Sequence, residues 1–238
     1  MNITIKETEA DFDREAAARM SAQVLQKPDS LLGLATGNTT LNIFECMVKL
    51  HKELGIDYSK VKTSNVDEYV GVAAEDPRSC RCRIDQSLLK QVNLKYENTY
   101  VPNGMAKPED ELIVFKKKIE DFGGFDLVLL SIGENGHIAF NEPGTPFDST
   151  YWIAPISDST IKAKAAPFGG EDRVPKFGIT MGIRDIMMAR KILLVAKGKS
   201  KAPVIQKILS GKLTVENPSS VLILHPNLEI LVDRDAMG

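Results

Sequence analysis

An amide, an imidazole and a carboxylate (Asn135, His137 and Glu142) lie close together in the run Ser131-Ile132-Gly133-Glu134-Asn135-Gly136-His137-Ile138-Ala139-Phe140-Asn141-Glu142-Pro143-Gly144. Such a set suits proton transfer to a polar substrate, because imidazole exchanges protons near neutral pH while its neighbours orient it and set its charge. The run directly follows Phe125-Asp126-Leu127-Val128-Leu129-Leu130, which reads as a buried strand. The polar groups therefore sit at a strand's carboxyl end, where open α/β sheets bind their ligands.

Three other strand ends carry groups that complement this one. Val61-Lys62-Thr63-Ser64-Asn65-Val66 reads as a strand ending in Asp67-Glu68-Tyr69-Val70-Gly71. Adjacent acids on extended backbone face different ways, so either one of the two points into a crevice or the pair is a solvated, helix-capping turn. The strand Ser30 to Ala35 runs into Thr36-Gly37-Asn38-Thr39-Thr40 and a helix from about Leu41 to Leu54. Backbone N–H groups, the helix dipole and the Thr36, Thr39 and Thr40 hydroxyls make an anion seat suited to a phosphate monoester. The loop is neither a Walker A sequence nor a GxGxxG fingerprint, and a plain strand-to-helix turn fits it equally well. After the buried strand Lys191 to Ala196, the segment Lys197-Gly198-Lys199-Ser200-Lys201 sets lysines against a helix dipole, which favours an anion there.

The elements that must position these groups alternate along the chain. Phe12, Ala16, Met20 and Val24 form the stripe of an amphipathic helix over residues 8 to 27, with Thr8 or Asp11 as N-cap and Pro28 beyond its end. Residues 77 to 92 read as an irregular helix whose Arg78, Arg81 and Arg83 form a surface face, and Pro108 opens a cleaner helix ended by Gly123-Gly124. From about 144 to 170 the chain reads as a long, lid-like loop broken by Pro146, Pro155 and Pro167, with Lys162 and Lys164 able to reach an anion. Phe177 to Gly182 reads as a strand, Ile183 to Ala189 as a short helix, and Val221 to Leu224 and Leu228 to Val232 as the last strands. Strands alternating with helices imply a three-layer, Rossmann-like α/β fold: a mostly parallel central sheet covered on both faces.

With 238 residues and no composition break, one domain over 1–238 is expected. A formal net charge of −2 gives no nucleic-acid footprint, and no apolar run approaches membrane length. Neither a signal-peptide core nor a disulfide framework is visible; Cys46, Cys80 and Cys82 read as reduced thiols, which points to the cytoplasm. Cys80-Arg81-Cys82 lacks a second ligand pair at zinc spacing, so no metal is expected. His51 reads as a surface or groove histidine rather than a ligand, and His225 as a strand-end turn.

Asn65-Val66-Asp67-Glu68-Tyr69-Val70-Gly71, Gly133 to Pro143 and the Ala35 to Thr39 loop together resemble the glucosamine-6-phosphate deaminase (isomerase) family, in order from about Leu32 to Val232. The resemblance implies net hydrolysis of a hexosamine 6-phosphate to the ketose 6-phosphate and ammonia, with no metal or organic cofactor. His137 matches the acid/base that opens the pyranose ring, Asp67 the base that carries the C2 proton to C1, and Glu142 the carboxylate that orients His137. Thr36, Gly37, Asn38, Thr39 and Lys201 match the phosphate contacts, and Glu68 and Gly136 fall where sugar contacts are expected.

Two departures stand out. Asn135 replaces the family's usual Asp, leaving an amide to orient the His137 ring without adding charge. The usual phosphate arginine falls near Ala166, with Lys162, Lys164 or Arg173 as substitutes. Both departures, and the run Gly178 to Ile186, resemble the galactosamine-6-phosphate deaminase/isomerase branch, so the C4 epimer stays open. The longer C-terminal tail of allosteric hexameric members is lacking, which argues against regulation by an N-acetylated sugar phosphate and leaves the oligomeric state open. Two other functions fit the same fold: a 6-phosphogluconolactonase-like hydrolase, which needs no C2 base, and a non-catalytic sugar-phosphate sensor.

Overall fold

A computed structural model describes residues 2–238. The chain runs β1 (Asn2–Lys6), α1 (Glu9–Gln26), β2 (Leu31–Leu34), α2 (Asn38–Leu54), β3 (Lys62–Asn65), β4 (Asp67–Tyr69), α3 (Cys80–Ile84), β5 (Thr99–Tyr100), α4 (Pro108–Asp121) and β6 (Leu127–Ser131). It continues through β7 (Trp152–Pro155), α5 (Asp158–Phe168), β8 (Phe177–Thr180), α6 (Ile183–Met187), β9 (Ile192–Ala196), α7 (Ala202–Leu209), β10 (Leu228–Asp233) and α8 (Arg234–Met237).

Seven strands form one sheet in the order β1-β10-β9-β6-β2-β3-β5, all pairs parallel. Its central strands β2, β6, β9 and β10 are mostly apolar on both faces, as burial from both sides requires. Leu31, Val128, Leu130, Ile192, Leu194, Ile230 and Val232 pack with Phe115 of α4 and Ile205 of α7. Their alternates Leu32, Leu34, Leu127, Leu129, Leu193, Val195 and Leu231 pack with Phe12 and Met20 of α1 and Phe44 of α2. Thr8 caps α1 as expected, its hydroxyl accepting from the Asp11 N–H at 3.1 Å.

From β2 the chain builds outward through β3 to β5, then returns to the other side of β2 with β6, β9 and β10. Connections after β2 and β6 thus diverge, and the gap between them is the topological switch point where such sheets bind ligands.

A second sheet, antiparallel and three-stranded in the order β4-β8-β7, branches off directly after β3. Tyr69, Phe140, Ala154, Ile156, Ile161 and Phe168 make its small separate core.

The expected lid-like loop over 144–170 is in fact half structured, because it contains β7 and α5. Pro155 and Pro167 read as breakers, yet Pro155 ends a strand at the edge of its sheet, a tolerated position, and Pro167 lies in the last turn of α5, where it removes one intrahelical hydrogen bond just before Gly169 ends the helix. The expected strand Val221 to Leu224 is instead part of a 3-10 helix over Pro218–Leu224. Short buried apolar runs look alike in either conformation, and Pro218 at its start favours the helix. Residues 77–92 are irregular because α3 widens into a π-turn over Asp85–Leu89. Among the described residues, no helix is long and apolar enough to cross a membrane.

Candidate active site

The loops after β2 and β6, the start of α5 and Lys201 enclose a cavity of about 570 Å³. Its lining includes Gly37, Asn38, Thr39, Ser131, Asn135, His137, Ser159, Thr160, Lys164 and Lys201.

His137 Nδ1 lies 3.3 Å from Glu142 Oε2 and 3.3 Å from Thr160 Oγ1. A proton on Nδ1 has a carboxylate to receive it, so the other ring nitrogen, Nε2, is the one left for a ligand. Burial alone would raise the Glu142 carboxyl, but the hydrogen bond and charge of His137, with the nearby Thr160 hydroxyl and the Asn135 amide, outweigh it and hold Glu142 at about 2. Glu142 therefore stays anionic beside the ring. The peptide bends tightly here: Gly133 lies against the imidazole, where an added Cβ would come within 2.3 Å of His137 Cε1. Gly136 has φ +95 and faces the Asn217 side chain. Its place is conformational rather than the expected sugar contact, because it is not on the cavity lining.

Asn135 does not orient the ring as expected. Its Nδ2 donates to Glu142 Oε2 at 2.7 Å, and its Oδ1 accepts from the His137 backbone N–H at 3.1 Å. It positions the carboxylate that in turn positions the imidazole. Asn135→Asp would put an acceptor against Glu142 at that separation, and two carboxylates so close must share a proton. The shared proton is bound in the folded state above the pH at which unfolded carboxyls lose theirs, so the variant's stability falls as pH rises. A deficit of about 1–3 kcal/mol is expected. Thermal melts of the variant and the parent should differ more at pH 8 than at pH 4.5; equal differences at both would overturn this account.

Asp67 and Glu68 do face different ways. Glu68, expected at the sugar, is fully buried and accepts from the backbone N–H groups of Tyr69, Cys80 and Arg81 at 2.8–3.0 Å. It caps α3, whose free N–H groups and dipole attract the carboxylate. Asp67 is buried as well and accepts from the Cys80 thiol, Sγ to Oδ1 3.7 Å. Burial first, then the charge of Glu68, pushes the Asp67 carboxyl up to about 7, against the pull of Cys80 and Lys164. Asp67 is set behind the lining, and the charge of Lys164, which does line the cavity, reaches it.

The loop after β2 divides its work. Gly37 donates to Thr40 Oγ1 at 3.0 Å, and Thr40 in turn donates to Ala35 O, so Thr40 caps α2 instead of facing a ligand. Thr36 is set back with its hydroxyl buried beside the Cys80 thiol. Asn38 and Thr39, in the first turn of α2, have backbone N–H groups with no partner inside the helix and line the cavity. Lys164 and Lys201 stand opposite, each lowered in pKa first by burial, with the charge of Arg83 adding to it at Lys164 and that of Lys164 at Lys201. Arg173 and Lys162 are exposed and off the lining.

Ser131, Ser159 and Thr160 on the lining and Cys80 beside Asp67 are not foreseeable from sequence, since hydroxyls and a thiol in a Ser/Thr-rich or Cys-Arg-Cys context carry no spacing signal. The family described as glucosamine-6-phosphate isomerases/6-phosphogluconolactonase matches residues 4–230. The chain belongs to this family. Within it, a glucosamine-6-phosphate deaminase of Geobacillus sp. (strain WCH70) is 42% identical over 229 residues, 96% of this chain and 91% of the relative. One of Shouchella clausii (strain KSM-K16) is also 42% identical, over 99% of this chain and 96% of the relative. A solved structure of a monomeric glucosamine-6-phosphate deaminase superposes with a TM-score of 0.97 at 35% identity, covering 100% of this chain and 99% of that one. A 6-phosphogluconolactonase from Trypanosoma brucei shares the fold, with a TM-score of 0.78 at 17% identity over 99% and 97% of the two chains.

Proposed function

We propose that this protein converts glucosamine 6-phosphate and water to fructose 6-phosphate and ammonia. The observation that supports this reading over a lactone hydrolase is Asp67: a buried carboxylate held near 7 beside a cation-lined cavity is a base for a C–H proton, which lactone hydrolysis does not need. In the proposed sequence the sugar phosphate rests on the first turn of α2 with Lys164 and Lys201 around it. His137 Nε2 takes the O1 proton and returns it to O5, which breaks the C1–O5 bond and frees the aldehyde. Glu142 stabilises the imidazolium in between.

The aldehyde acidifies C2–H. Asp67 removes that proton while the substrate's C2 ammonium gives one to O1, so a neutral enolamine forms; Asp67 then delivers its proton to C1, leaving an iminium at C2. Water adds to C2 and the C–N bond breaks, so one water is consumed for each ammonia released and the net change is hydrolytic. Glucosamine 6-phosphate is placed first because the relatives above bear its name; the galacto epimer is the second substrate to test.

Incubation with each hexosamine 6-phosphate and measurement of ammonia and ketose 6-phosphate tests the proposal. Equal amounts of the two products from the gluco epimer are expected. Absence of ammonia from both epimers would defeat it, and turnover of a 6-phosphosugar lactone that survives loss of Asp67 would favour the lactonase reading.

A further inference from the structure

Of the three arginines between residues 77 and 92, two are neutralised in place. Arg78 pairs with Asp76, and Arg81 pairs with Asp85 at 3.1 Å while its guanidinium stacks 4.1 Å from the Tyr96 ring centroid. Arg83 differs. Half-buried on α3, it has no carboxylate within ion-pair distance among the described residues, and its Nη2 donates to the side-chain oxygen of Asn38 at 3.2 Å. Asn38 is the first residue of α2 and lines the cavity.

Arg83 is itself off the lining but is moored through the lining residue Asn38 to the helix end proposed to hold the phosphate, on the α3 side, while Lys164 and Lys201 lie on the cavity wall. Its charge is felt at Lys164, and that of Lys164 at Lys201. Neither lysine has an ion-pair partner among the described residues; Glu134 is the one carboxylate whose charge reaches Lys201. A row of cations from Arg83 through Lys164 to Lys201 beside a helix N-terminus, offset by Asp67 at Lys164 and Glu134 at Lys201, is unfavourable in the free protein. It becomes favourable when a dianion enters.

We propose that Arg83 is a phosphate ligand of this site, turning its guanidinium from Asn38 to the 6-phosphate and supplying the two-pronged contact that lysine cannot make. The inference rests on the sugar-phosphate reading above and adds its specificity-determining residue. A guanidinium presents five N–H donors in a planar fork matched to two phosphate oxygens, whereas an ammonium is a point charge. The mooring on Asn38 leaves most of those donors unused.

Inorganic phosphate binding by calorimetry and steady-state kinetics on glucosamine 6-phosphate test the proposal together. Arg83→Gln should weaken phosphate binding about 10- to 100-fold and raise KM in parallel, with kcat within about twofold of the parent, because the contact is made equally in ground and transition states. Arg83→Lys should fall between the two. In the unmodified protein, phenylglyoxal labelling read by mass spectrometry should be suppressed by phosphate at Arg83 and unchanged at the exposed Arg173; this measurement does not depend on a variant folding. Parent-like phosphate affinity and KM in Arg83→Gln, or labelling of Arg83 indifferent to phosphate, would overturn the assignment. If the parent released no ammonia, the reaction reading would fail while phosphate binding still decided Arg83.

Discussion

Asp67→Asn should lower the rate of ammonia release by about 10²- to 10⁴-fold and, at the same time, make the protein more stable in alkaline solution. Both effects come from one fact, the burial of a carboxyl whose pKa rises from 3.8 to about 7. Between those values the folded protein keeps a proton that the unfolded chain has lost, so stability declines as pH rises through the interval, and the full deficit remains above it. At about 1.4 kcal/mol per tenfold change in proton affinity, the deficit is at most about 4 kcal/mol. An amide has no proton to lose, so the variant escapes it. Its thermal advantage over the parent should therefore be larger at pH 8 than at pH 4. The same titration should give the parent's kcat/KM an acidic limb near 7, because the base must be ionised. Exchange of the substrate C2 hydrogen with solvent should vanish in the variant. If the variant released ammonia at a tenth of the parent rate or faster, Asp67 would not be the C2 base.

Glu142→Gln is expected to have the second large effect, acting through His137. The carboxylate holds Nδ1 at 3.3 Å and sits at about 2, so it is charged throughout the working range. Glutamine keeps the shape but removes the charge that stabilises the imidazolium formed in ring opening, and a loss of about 10²-fold in kcat is expected with little change in KM. The sign of its stability effect is opposite to that of Asp67. A carboxyl lowered from 4.5 to about 2 contributes stability that is fully present above its unfolded value and is lost as pH falls toward 2. The parent should thus lose more stability than the variant between pH 4.5 and 2 in denaturant titrations. Parallel acid curves would show that Glu142 is not tied to His137 in solution.

The three-layer fold was legible because its strands are short, continuous apolar runs between amphipathic helices, and burial on both faces is the usual reason for such runs. The positions of His137, Asn38, Thr39 and Lys201 followed from reading strand carboxyl ends. What escaped the sequence depends on contacts between distant elements. Glu68 looked like a second acid for the sugar until α3 took its carboxylate, and nothing in the neighbouring residues announces a helix that arrives twelve positions later. Asn135 pairs with Glu142 instead of the imidazole because Gly136 turns the backbone between them. Arg83 read as one of three surface charges, since only the pairing of the other two sets it apart. Cys80 and Thr160 have chemistry only through the partners that packing brings to them.

The small sheet has a further consequence for how the protein ages with heat. Asp67 begins β4, Thr160 and Lys164 ride on α5, which packs into the same small core, and β8 lies between β4 and β7 without contributing any candidate group. β8 also anchors the loop after β6, since the Phe140 N–H donates to Thr180 Oγ1 at 3.2 Å. His137 and the start of α2 belong to the seven-stranded sheet, with its two much larger cores. Ile179 ties β8 into the larger core, so α5, held in the small core by Ile161 and Phe168, is the part first to open, at a free energy below that of global unfolding. Warming should then silence the enzyme reversibly several degrees before circular dichroism records global melting, because Thr160 and Lys164 leave with α5 while Lys201 and the large sheet stay in place.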